Sequence, residues 1–114
     1  MKKILVVDDD KTLLDIVNRD LTLHGFDVQT YSAGNVSDIV KWNNPNLILL
    51  DMRYFGRFGA QICKELKEKY TIPIVLFSAE TDEGNEFADY SADAFIQKPF
   101  DIKKLVDTIE LLVN

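Results

Sequence analysis

Ile4-Leu5-Val6-Val7-Asp8-Asp9-Asp10 opens the chain with four consecutive apolar residues that stop abruptly at three acids. An unbroken apolar run of this length suits a strand covered on both faces, since neighbouring side chains point opposite ways and each must meet protein. The pattern recurs at Leu47–Leu50, at Ile74–Phe77 and, shorter, at Phe95–Ile96. Phe26 to Tyr31 mixes apolar Phe26 and Val28 with polar Asp27, Gln29 and Thr30, which predicts an edge strand.

Segments with helical spacing lie between these runs. Leu13, Leu14, Val17 and Leu21 share one face of a helix that His24-Gly25 should end. Val36, Ile39 and Val40 predict a short second helix stopping before Asn43-Asn44-Pro45, with Trp42 packed at its end. Ile62, Cys63 and Leu66 predict a third. A fourth around 82–90 has Gly84 and Asn85 inside it and only Phe87, Ala88 and Tyr90 to bury, so it is expected to be short, frayed or mobile. Ile102, Leu105, Val106, Ile109 and Leu112 predict a fifth. Strand–helix alternation five times over, with right-handed crossovers, gives an α/β domain: a five-stranded parallel sheet with helices on both faces.

Composition narrows the class. At 114 residues, 46% hydrophobic and 28% charged, the chain suits one globular domain, read as 1–114. No apolar run approaches the roughly 20 residues that cross a bilayer. The acids at 8–10 arrive too soon for a signal peptide, and the single cysteine makes no internal disulfide, so a cytoplasmic location is expected, with no membrane partner. Thirteen basic against 19 acidic residues, net −6, argues against direct nucleic-acid binding. The stretch from Ser78 to Asp93 carries six acids and no base, which accounts for the whole net charge.

Open parallel sheets bind ligands beyond the carboxyl ends of their strands. There the sequence puts Asp8 and Asp9, then Asp51, then Ser78, then Lys98-Pro99. Taken singly, each has an ordinary reading: Asp10, and even Asp9, as a helix cap, Asp51 as a loop start, Lys98 as a solvated surface residue. Converging, three carboxylates repel unless a cation neutralises them, and an all-oxygen set with no histidine or second cysteine selects Mg²⁺ or Mn²⁺. A lysine and a hydroxyl beside that ion can hold the remaining oxygens of a phosphoryl group. His24 and Cys63 read as structural, one near a helix end and the other on an apolar face.

Over its whole length the chain resembles the receiver domain of two-component response regulators, the CheY-like superfamily. The matching residues are Ile4-Leu5-Val6-Val7-Asp8-Asp9-Asp10, Leu49-Leu50-Asp51-Met52, Gly59, Ser78-Ala79 and Phe95-Ile96-Gln97-Lys98-Pro99-Phe100. The resemblance implies a flavodoxin-like, doubly wound (βα)5 fold with strand order 2-1-3-4-5. It implies that Asp51 accepts a phosphoryl group from a sensor histidine kinase or histidine phosphotransfer protein. Asp9, Asp51 and the backbone carbonyl of Arg53 would ligate Mg²⁺, with Asp8 acting mainly through a water. Lys98 would bridge to the phosphoryl oxygens, Ser78 would turn inward to them, Phe95 would move inward behind it, and Lys98-Pro99 would be cis. Such a domain is a phospho-acceptor that assists its own phosphorylation and dephosphorylation, not an enzyme in the ordinary sense.

Several positions depart from the family pattern. Tyr54-Phe55 stands where Met-Pro usually follows the acceptor, Ser91 replaces a glycine, and the interval from Ser78 to Lys98, 20 positions, is slightly short. Arg53 and Glu80, two residues after Asp51 and Ser78, form a candidate ion pair over the pocket that would slow water attack. A phosphatase of the haloacid dehalogenase type would want an acid at position 53. Asp107, Thr108 and Glu110 stand where dimerising OmpR-like receivers generally place arginines, so a monomer is expected, with dimerisation on phosphorylation left open. The favoured reading is a stand-alone receiver with an unknown downstream protein partner. The alternatives are a module from a longer DNA-binding or enzymatic regulator, and a receiver-like binding module that works without phosphorylation.

Overall fold

The computed structural model describes residues 1–54, 59–78 and 92–113. Strand β1 (Lys3–Val7) leads into helix α1 (Lys11–Leu23), then β2 (Asp27–Tyr31), α2 (Val36–Asn43), β3 (Leu47–Asp51), α3 (Gly59–Lys67), β4 (Ile74–Ser78), β5 (Ala94–Gln97) and α4 (Ile102–Val113). The five strands pair in parallel in the order β2-β1-β3-β4-β5. The helix expected around 82–90 lies outside the described residues; the fifth expected helix is α4.

The strands with unbroken apolar runs are the central ones. Every residue of β3 and β4 is buried, and so are the last four of β1. Alternate residues divide between two cores. Leu5, Val7, Ile48, Leu50, Ile74 and Leu76 pack with α2 and α3, whereas Ile4, Val6, Leu49, Val75 and Phe77 pack with α1 and α4. The mixed segment is the edge strand β2, none of whose residues is fully buried.

Helix ends follow local chemistry. Asp10 caps α1 by accepting from the Leu13 N–H, and Asn35 caps α2 by accepting from Asp38. The chain leaves α1 through His24, whose Nδ1 lies 2.8 Å from the Asp20 carbonyl, and turns at Gly25 with φ +91°. Trp42 departs from the packing expected of it at the end of α2 and is 71% exposed. At about 100° per residue it stands roughly 110° around α2 from the centre of the Val36–Ile39–Val40 stripe. The inward slot at that turn belongs to Asn43, whose Nδ2 donates to the Tyr31 hydroxyl and the Ile39 carbonyl.

Candidate functional site

The acids that end β1 and β3 meet at the carboxyl edge of the sheet. One carboxylate oxygen from each of Asp8, Asp9 and Asp51 lies within 4.8 Å of the others. Their surroundings differ. Asp8 has no exposed surface, Asp51 is buried and Asp9 faces solvent. Asp8 Oδ1 accepts the Asp10 N–H at 2.9 Å, and its Oδ2 accepts Lys98 Nζ at 2.9 Å. Asp51 Oδ1 accepts the Arg53 N–H at 3.2 Å and lies 3.6 Å from the same ammonium. Both Asp8 oxygens are thus engaged by protein, and among the described residues Asp9 takes no side-chain hydrogen bond.

The charges do not balance. Among the described residues the cluster sets three carboxylates against the Lys98 ammonium, about two negative charges in excess in a partly dry pocket, which a divalent ion would offset. Burial holds the Asp8 carboxyl above its ordinary range; the Asp10 N–H and Lys98 oppose this, and the Asp51 charge adds to it. Burial alone would lower Lys98, but its hydrogen bond to Asp8 and the charges of Asp8 and Asp51 outweigh that, so the ammonium is held above its usual pKa. The donor set, all oxygen and from three separate carboxylates, fits Mg²⁺ or Mn²⁺ and does not fit a soft metal.

A family model described as the response regulator receiver domain matches residues 4–110. The chain belongs to that family. Solved structures agree in fold. The receiver domain of Francisella response regulator 1452 shares 26% identity, covering 99% of this chain and 97% of that one, with a TM-score of 0.88. The signal receiver domain of a response regulator from Bermanella marisrubri gives 27%, 98% of each chain and 0.87. The BeF3-activated N-terminal receiver domain of Klebsiella pneumoniae RstA gives 25%, 98% of each chain and 0.90.

The rest of this receiver domain's edge is built around those acids. Ser78 ends β4, is buried, and through its carbonyl accepts the Lys98 N–H at 2.7 Å. The Lys98–Pro99 peptide is cis. Gly59 begins α3 with its N–H donated to the Met52 carbonyl. A Cβ there would sit 2.7 Å from the Met52 Cα and closer still to the Asp51 carbonyl oxygen, so only glycine lets α3 approach the end of β3. Tyr54, where the family usually has methionine, is buried and donates its hydroxyl to the Gly34 carbonyl at 3.1 Å, tying the β3–α3 loop to the loop before α2. Burial, then the Asp9 charge, raises its pKa.

Phe95 does not join the acidic cluster. It lies opposite Leu76 in the middle of β5, half-buried on the face that carries α2 and α3. The Arg53 backbone sits in the turn beside Asp51. Its candidate partner Glu80 lies outside the described residues, as does Ser91. Phe77, whose ring lies beneath the Lys98 ammonium, carries no signal in the sequence, because a phenylalanine within an apolar run reads only as core. Among the described residues no helix is long and apolar enough to cross a membrane.

Proposed function

We propose that this receiver domain accepts a phosphoryl group on Asp51 from the phosphohistidine of a sensor kinase or phosphotransfer protein, in a Mg²⁺-dependent step that alters a partner-binding surface. The observation that carries the reading is the Asp8–Asp9–Asp51 cluster with Lys98 held inside it. Asp9, Asp51 and the Arg53 carbonyl would hold the ion, and Asp8, its oxygens engaged by Asp10 and Lys98, would act indirectly. Bound there, the ion neutralises the carboxylates and the incoming phosphoryl charge.

The chain's own residues supply position. The Arg53 N–H fixes one Asp51 oxygen and so orients the other as nucleophile. An Asp51 oxygen forms the new O–P bond as the histidine nitrogen leaves with the electrons of the N–P bond. Lys98 stands ready to pair with a transferred oxygen, and the Ser78 hydroxyl at the end of β4 would donate to another. The product is a mixed anhydride that water hydrolyses, so the signal resets. Phe95, half-buried beside β4, would follow Ser78 inward, and Arg53 with Glu80 would tune the lifetime. A dianion added at this edge displaces neighbouring charge and biases the surface around it.

Residues 1–114 would form a single receiver unit, a monomer before phosphorylation with dimerisation after it left open, that binds no nucleic acid or membrane directly. The BeF3-activated RstA domain supplies a probe, since fluoroberyllate is a tetrahedral stand-in for a phosphoryl group. The decisive experiment is intact mass after incubation with acetyl phosphate and Mg²⁺, with and without EDTA. One phosphoryl group on the wild type, dependent on Mg²⁺ and absent from Asp51→Asn, is the expected result. No adduct under conditions that label a control receiver would leave a phosphorylation-independent binding module.

A further inference from the structure

We propose that Phe77 is a positioning residue for Lys98, its ring forming the neutral surface on which the ammonium is held between Asp8 and Asp51. The inference rests on Asp51 being the acceptor, and goes beyond it to what aims the lysine.

The lysine has far to reach. Lys98 follows β5 and Asp8 follows β1, and β4 and β3 lie between those strands, roughly 14 Å at the usual strand spacing. Its side chain must cross the end of β4. There β4 presents Phe77, opposite Ile96 and one residue before Ser78. Lys98 Nζ lies 5.7 Å from the centroid of that ring, inside the roughly 6 Å over which an aromatic face attracts a cation. Phe77 is fully buried, so water does not compete for the ring.

The ring is itself fixed. Phe100 stacks on Phe77 with centroids 5.1 Å apart and planes 5° from parallel. Phe100 follows Lys98 by two residues, so the platform and the backbone carrying the lysine are located by one contact. A carboxylate in place of the ring would also attract the ammonium, but it would add a fourth negative charge to a cluster already in excess. An aromatic face attracts the cation through its quadrupole and adds no net charge. Without the ring only Asp8 and Asp51 hold Nζ, and Asp51 is the group that would also serve the ion and the phosphoryl group.

Replacing Phe77 with mono-, di- and trifluorophenylalanine weakens the ring's negative face in steps at nearly constant volume. Acetyl phosphate labelling of Asp51 in Mg²⁺ is expected to slow stepwise, by about two- to tenfold across the series, while the melting temperature stays level. Phe77→Leu serves as the ring-free end point. A labelling rate that ignores fluorination overturns the proposal even if Phe77→Leu is slow, because the ring would then be packing alone. The Lys98 side-chain NMR resonances read the contact without any phosphoryl group. They are expected to carry an upfield ring-current shift that Phe77→Leu removes, and no shift overturns the contact. Should wild type take no label at all, the acceptor reading fails separately, and the Lys98 resonances still decide the ring contact.

Discussion

The two edges of this sheet each hold an aspartate–lysine pair, and the pairs differ in what surrounds them. At the amino edge Asp93 Oδ2 lies 2.7 Å from Lys67 Nζ and accepts the Ile74 N–H at the same distance, while Lys67 also donates to the Ile72 carbonyl. One carboxylate, one ammonium and the backbone around them satisfy each other, and the result clamps the start of β5 to β4 and α3. At the carboxyl edge Asp8 and Lys98 make a pair of similar length, yet two further carboxylates crowd it. A balanced pair is a fastening, whereas an oversupplied one has capacity for a ligand. The pairs match in length but not in burial or in neighbours: Asp8 is sealed from solvent beside two further carboxylates, whereas the Asp93 side chain is 32% exposed.

The largest expected effect comes from closing the space behind Asp51. Gly59→Ala forces a Cβ against the Asp51 and Met52 backbone and should cost about 3 kcal/mol, or roughly 12 °C in melting temperature. Phosphoryl labelling should be lost with it, as mass spectrometry of the folded fraction would report. At the amino edge, Asp93→Ala leaves the Ile74 N–H and Lys67 short of a partner. A loss of about 1–2 kcal/mol is expected, read as a drop of about 4–8 °C that is the same in EDTA and in Mg²⁺.

Asp8→Asn should move the other way. Burial and the Asp51 charge already disfavour its ionised form, so removing that charge is expected to raise the melting temperature in EDTA by about 2–5 °C. Saturating Mg²⁺ is expected to stabilise wild type, and to stabilise the variant less. If Asp8→Asn and Asp93→Ala shift stability alike, and both ignore Mg²⁺, the contrast between the edges collapses.

Much of this was legible in the sequence. The apolar runs at 4–7, 47–50 and 74–77 are the buried centre of the sheet because a two-sided environment leaves no polar alternation, and the acids closing the first two of them meet in the candidate site. The Asp93–Lys67 clamp was not legible: its members lie 26 positions apart and carry no pattern, so only tertiary packing joins them. Phe77 was hidden for the same reason, since its contact with Lys98 depends on strand order. For Trp42 aromatic character suggests burial, but its angular position on α2 sets it aside from the apolar stripe and leaves it in water.

The smallest effect expected concerns Cys63, packed beside the amino-edge clamp. Burial pushes its thiol up to about 11; Lys67 opposes the shift and Asp93 adds to it. The group therefore stays protonated at pH 8, and a thiol-specific disulfide reagent should react only as the edge opens, far more slowly than with an unfolded control. Because its pKa is higher folded than unfolded, its contribution to stability is full below about pH 9 and fades as pH climbs toward 11. Mg²⁺ should leave the labelling rate unchanged, and Asp93→Ala should raise it slightly.

Trp42 is the only tryptophan in the chain, and it already stands in water at the end of α2. Its emission should resemble that of free indole in the native protein and change little when the chain melts. Intrinsic fluorescence would then underreport unfolding, and a flat trace would look like resistance to denaturant. Far-ultraviolet circular dichroism, which sees the helices and the sheet directly, is the optical probe suited to this protein.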